Sequence, residues 1–164
     1  MPAFLYNAPA GIKGDVSRAG ESNVEPIMQG SQFPAYGAPV KYNGSGQAVP
    51  FAGGESATDF QGVLVRTAPA ISGNINSGFD DTIPWLEQAQ GNMVRGYAIV
   101  KCVTGTPVRG GVVYIQIVAT GGFSLGDFRA SADGGNTLAL TVAQAEWASN
   151  GKDADGLAEI RVKA

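Results

Sequence analysis

Val94-Arg95-Gly96-Tyr97-Ala98-Ile99-Val100-Lys101-Cys102-Val103 alternates without a break. Val94, Gly96, Ala98, Val100 and Cys102 fall on one side of an extended chain. Arg95, Tyr97, Ile99, Lys101 and Val103 fall on the other. Ten residues at period two predict a strand, not a helix. Downstream, Thr104-Gly105-Thr106-Pro107 is a turn, and the β-branched run Val112-Val113-Tyr114-Ile115-Gln116-Ile117-Val118 predicts a second strand over 112–118. Toward the C-terminus, Leu138, Leu140 and Val142 share a face. In the last strand Ala158, Ile160 and Val162 oppose Glu159, Arg161 and Lys163, the pattern of an antiparallel sheet with one wet face.

Upstream, Ala38-Pro39-Val40-Lys41-Tyr42 and Gln47-Ala48-Val49-Pro50-Phe51 flank Asn43-Gly44-Ser45-Gly46, a hairpin. Gly62 to Thr67 reads as a strand stopped by Pro69. Many short strands joined by Gly/Pro turns predict an all-β domain, a small antiparallel β-barrel or sandwich with an extended N-terminal arm. Thr141-Val142-Ala143-Gln144 resembles a capping box and opens the alternative of a short helix through Trp147.

The chain divides at residue 30. Within 1–30, Phe4-Leu5-Tyr6, Ile12, Val16, Val24 and Ile27-Met28 are apolar islands among glycines and prolines, and neither period survives. The expectation is an extended arm of about 100 Å maximum reach, ordered only where its islands are buried by a partner or by its own domain. Deleting 1–30 is expected to leave the domain folded. Residues 31–164 form the β domain. Its long connection at 67–92 carries Trp85 and either folds back on the core or contacts a partner.

Composition removes most chemistry. The 164 residues include no histidine and one cysteine, so proton shuttling and zinc ligation lack their usual groups. Cys102 sits in an apolar strand and reads as a buried thiol. Gly121-Gly122 with Gly126 lacks the context of a phosphate loop, and Asn150 to Gly156 lacks the first ligand of a calcium loop. No enzyme activity and no cofactor are expected. A net charge of −3 with scattered Lys and Arg argues against nucleic acid, and no apolar run reaches eighteen residues, so no membrane span is expected. Without a signal-peptide pattern, a soluble protein made in a reducing cytosol is expected.

Binding is what remains. Phe4, Leu5, Tyr6, Ile12 and Trp85 are the candidate apolar contacts. Arg18 and Arg66 are candidates for charge-assisted pairing with a partner's or neighbour's carboxylates, or are solvated surface charges. An alternative is a carbohydrate-binding β module using Tyr36, Tyr42, Trp85, Tyr97, Tyr114 and Trp147 as stacking surfaces.

Read in order, several segments resemble the structural cement, or head decoration, proteins of tailed bacteriophages. They are Gly11-Ile12-Lys13-Gly14-Asp15-Val16-Ser17-Arg18, Phe33-Pro34-Ala35-Tyr36-Gly37-Ala38-Pro39-Val40, Gly62-Val63-Leu64-Val65-Arg66, Val94-Arg95-Gly96-Tyr97, Gly110-Gly111-Val112-Val113-Tyr114 and Gly156-Leu157-Ala158-Glu159-Ile160. The resemblance implies a noncatalytic protein made in the host cytoplasm that binds the outer capsid surface of the virion. It implies the major capsid protein as partner and self-association as a homodimer or homotrimer. A tail or baseplate component of the same virion is a further alternative.

Overall fold

The computed structural model describes residues 11–66 and 90–163. They form an all-β fold of ten strands. In chain order these are β1 (Asn23–Met28), β2 (Pro39–Tyr42), β3 (Ala48–Pro50), β4 (Gly62–Val65), β5 (Gln90–Thr104), β6 (Tyr114–Gln116), β7 (Phe128–Arg129), β8 (Thr137–Ala139), β9 (Ala145–Trp147) and β10 (Leu157–Val162). The main sheet path runs β3-β2-β4-β5-β7-β6-β8, with β1 and β10 also on β5 and β9 on β10. Pairing is antiparallel except between β5 and β7, where Cys102 faces Phe128 in a parallel register.

β5 is the axis, and its alternation organises the interior. Val94, Ala98, Val100 and Cys102 enter the larger core cluster with Trp147, Phe128, Phe60, Ile115 and Ile160. Met93 points the other way, into a second cluster with Ile27, Phe33, Val40, Ala48 and Leu64. β4 divides likewise, with Val63 and Val65 in the first cluster and Leu64 in the second. A strand buried on both faces needs a nearly continuous apolar run, and Val63-Leu64-Val65 supplies it.

The hairpin over 38–51 forms as expected, with Val40 opposite Pro50 and Tyr42 opposite Ala48. Asn43 Oδ1 accepts from the N–H groups of Ser45 and Gln47, each at 2.9 Å, which turns the chain. β10 also matches, with Ala158, Ile160 and Val162 buried.

Four expectations need correction. The strand predicted over 112–118 contracts to Tyr114–Gln116. Gln116 is fully buried, and its Nε2 donates to the Val118 carbonyl at 2.7 Å, which bends the chain out of the ladder. Leu140 is buried but Val142 is exposed, so they do not share the core. No helix follows Thr141 either. Gln144 Oε1 accepts from the Thr141 N–H at 3.0 Å as a capping side chain would, but the chain then enters β9, which pairs with β10. Tertiary pairing overrides the local signal.

The fourth correction concerns 11–30, expected to break any ladder. β1 pairs with β5 over six residues despite Pro26, from Asn23 opposite Arg95 to Met28 opposite Gln90. Ile27 is part of the second core cluster. A cut at residue 30 would remove β1 and the core side chain Ile27. Proline is tolerated because the described residues pair β1 on one side only, and an edge strand can do without the donor.

Candidate functional site

The segment from Gly11 to Met28 lies along β5 as a strap. Val16 bridges Ala98, the Gly14 N–H donates to the Ile99 carbonyl at 2.8 Å, and the Ser17 N–H donates to the Tyr97 carbonyl at 3.2 Å. On the second face of β5, Tyr97 and Ile99 are buried, with the Arg18 guanidinium over the Tyr97 ring and Gly11 against Ile99. Close approach requires glycine at position 14, which has φ +85°. A Cβ there would stand 2.6 Å from Tyr36 Cβ.

Both candidate arginines hold this strap. Arg18 forks onto Glu159 of β10, Nε to Oε1 at 3.0 Å and Nη2 to Oε2 at 2.7 Å, and Ser17 Oγ donates to Oε1 at 2.7 Å. Hydrogen bonding to Glu159 raises the Arg18 pKa above its ordinary value, against the opposing effect of desolvation. The guanidinium also lies 4.2 Å over the Tyr97 ring, with Arg161 over the same ring at 5.5 Å. Arg66 comes from the end of β4. Its Nε donates to the Lys13 carbonyl at 3.3 Å and lies 4.0 Å from Asp15 Oδ1, while its guanidinium covers Tyr36 at 5.1 Å.

Replacing Arg18 with alanine is expected to loosen the strap without unfolding the core. Amide exchange at Gly14 and Ser17 should accelerate while β10 amides stay protected. Unchanged exchange at those two positions would show that the backbone ladder holds the strap unaided.

Of the other candidates, Ile12 is 37% exposed on the strap. Phe4, Leu5, Tyr6 and Trp85 lie outside the described residues. Sequence reasoning missed an apolar stripe on β1. Val24, Pro26 and Met28 alternate along one face, and Val24 and Met28 are 43% and 58% exposed. The signal was present as Val-x-Pro-x-Met, but proline argued against a strand.

The remaining groups are structural. Glu55 is buried and accepts from Lys41 Nζ at 2.6 Å and from the N–H groups of Ala52 and Gly53. Burial works to raise its pKa, but Lys41 and these backbone donors outweigh it and hold the carboxyl below the ordinary range. Burial pushes the Cys102 thiol up, which keeps it protonated. Asp153 caps its own turn, accepting from the N–H groups of Asp155 and Leu157. Among the described residues no group of three or more His, Cys, Asp or Glu stands where it could hold a metal ion. Of the aromatic rings considered for stacking, Tyr97 and Trp147 are buried, Tyr36 lies under Arg66, Tyr114 is half-buried, and Tyr42 is exposed. Trp85 lies outside the described residues.

What the described surface offers is a rigid β body with a latched strap and an apolar stripe, the makings of a protein contact. Comparison with known proteins bears on which contact. Among curated proteins no match is found. A solved structure, "The capsid of Myoviridae Phage XM1", contains a chain of the same fold, with TM-score 0.65 and 18% sequence identity. The alignment covers 97% of this chain and 94% of that one. The family model described as XM1 gp53 minor capsid protein matches residues 1–162. With nearly the whole chain matched, the chain belongs to the XM1 gp53 minor capsid protein family, and its role is structural, within a phage capsid.

Proposed function

We propose that the protein is a capsid decoration, or cement, protein that binds the outer surface of an assembled phage head and bridges neighbouring major capsid protein subunits. The role requires adhesion and no catalysis, and self-association into a dimer or trimer would strengthen it. One observation carries the reading. A segment rich in apolar residues is latched to the domain by Arg18 and Arg66, yet presents Ile12, Val24 and Met28 to solvent.

The latch fixes where the first ten residues depart. Gly11 sits against Ile99, and by chain length alone Phe4, seven residues earlier, reaches at most about 25 Å from that point. A short tether gives the arm a high effective concentration at a neighbouring subunit once the domain has landed. Phe4, Leu5 and Tyr6 would contribute to adhesion by burying their apolar surface against the neighbouring subunit. In this reading Arg18 and Arg66 act indirectly by holding the anchor point. Trp85 is a second contact, tested by Trp85→Ala in the same assay.

The test mixes expanded heads lacking the protein with the full chain and with a variant deleted for residues 1–10. Full-length protein should cosediment and add density to the outer surface, while the deletion variant should lose at least about tenfold in affinity, equivalent to about 1.4 kcal/mol. Equal binding by the two would remove the arm from the interface. Failure of the full chain to bind heads, or density confined to the tail, would overturn the decoration role itself.

A further inference from the structure

We infer that the β2–β3 turn is a self-modification site at which Asn43 is converted, without any enzyme, to an aspartyl or isoaspartyl residue through attack by the Gly44 nitrogen. The sequence contains two Asn-Gly pairs, Asn43-Gly44 and Asn150-Gly151. Glycine leaves the following nitrogen sterically open, so both pairs are candidates by sequence. The structure separates them.

At Asn43 the electrophile is activated and the nucleophile is unengaged. The electrophile is the side-chain carbonyl carbon. Its Oδ1 accepts from two backbone N–H groups, those of Ser45 and Gln47, each at 2.9 Å. Two such donors polarise the carbonyl and stabilise the negative charge that develops on Oδ1 when the carbon becomes tetrahedral. The nucleophile is the nitrogen of Gly44, an exposed residue whose N–H makes no hydrogen bond within the described residues. The leaving group is Nδ2, held among the described residues by a 3.3 Å bond to Gln47 Oε1.

At Asn150 the parts are fewer and one is blocked. Oδ1 accepts one backbone donor, the Arg109 N–H at 2.9 Å. The Gly151 N–H donates to the Pro107 carbonyl at 2.8 Å, which withholds the nucleophile.

The reaction needs only water and a base. Hydroxide removes the Gly44 N–H proton, the nitrogen forms a bond to Cγ, and the oxyanion collapses as the Cγ–Nδ2 bond breaks. Protonated by water, Nδ2 departs as ammonia and leaves a five-membered succinimide. Water then opens either carbonyl, giving a normal aspartyl or an isoaspartyl linkage and one new carboxylate. Nothing is oxidised or reduced. The isoaspartyl product adds one carbon to the main chain at the hairpin turn and withdraws the side-chain acceptor from Ser45 and Gln47. This inference stands on the turn alone and is independent of the capsid-binding proposal.

The experiment ages the purified full chain in mildly alkaline buffer and maps peptides by mass spectrometry with separation of isoaspartyl forms. Modification at Asn43 should exceed that at Asn150 severalfold. Gly44→Ala should slow it strongly by crowding the nitrogen. That variant should fold normally, because a Cβ at Gly44 meets nothing within 4 Å and the residue does not have a left-handed φ. Thermal melting of the variant checks this. Equal or faster modification at Asn150, or an Asn43 rate unaffected by Gly44→Ala, would overturn the inference.

Discussion

Replacing Gly96 with alanine should lower the melting temperature by about 10 °C, more than any other single methyl group added to β5. Gly96 has φ +128°, a region that L side chains rarely adopt, and lies where the strap changes register. Between the Val16–Ala98 bridge and the Asn23–Arg95 pair, the strap advances seven residues while β5 advances three. The surplus is taken up by the short 3-10 turn at Ala19–Glu21, and Ser22 folds back onto β5. Ser22 Oγ accepts from the Tyr97 N–H at 2.9 Å and donates to the Arg18 carbonyl at 2.8 Å. A Cβ on residue 96 would stand 2.5 Å from Ser22 Cα and 2.6 Å from its Oγ.

Two costs therefore add. Backbone strain contributes roughly 1–3 kcal/mol and overpacking a similar amount, which together make about 4 kcal/mol. The damage should be local to the strap, so limited proteolysis should cut within 11–30 before the rest of the chain. A second substitution, Ser22→Gly, removes Oγ and Cβ but leaves the Cα clash, so it should restore only part of the loss. A Gly96→Ala protein melting within about 2 °C of the parent would mean that the strap yields freely at Ser22.

Where sequence reading succeeded, the side-chain pattern alone specified the structure. β5 and β10 were legible because each has a long alternation and a buried face that a one-residue slip would expose. The hairpin was legible because Asn43 supplies its own turn. The strap was not, since its glycines and prolines mask a pairing set by β5. The cue lay in β5 itself, whose second face carries Tyr97 and Ile99 and therefore needed a cover. Arg18 read as pairing with a partner's or neighbour's carboxylate, or as solvated, because Glu159, which it grips within its own chain, is 141 positions away. The run at 112–118 looked like one strand because propensity cannot anticipate that buried Gln116 would capture the Val118 carbonyl. The apolar stripe on β1 was half-visible. Val24 and Met28 stood out as islands, but their common face appears only once β1 is known to be extended.

Loss of the Glu55 carboxylate should have the next largest effect, about 3 kcal/mol for Glu55→Ala near neutral pH. Its side chain is 2% exposed, and it serves three donors at once: Lys41 Nζ at 2.6 Å, the Ala52 N–H at 2.7 Å, and the Gly53 N–H at 3.0 and 3.1 Å to its two oxygens. Alanine would leave both backbone donors without an acceptor in the loop after β3. Lys41, 22% exposed, can turn toward water, so the loss falls at the low end for breaking a buried pair. The pH dependence identifies the charge as the cause. The folded-state pKa of Glu55 lies below its ordinary 4.5, so the unfolded chain takes up this proton first as pH falls. The stabilisation is accordingly complete above pH 4.5 and is lost as pH drops through the lower folded value. Denaturant titrations of the parent and Glu55→Gln should differ at pH 7 and converge in acid, because protonation neutralises the parent's carboxylate while the amide never carried the charge. A difference that persists undiminished in acid would assign the effect to packing around residue 55, and the Lys41 pairing would then contribute little to holding β2 against the turn.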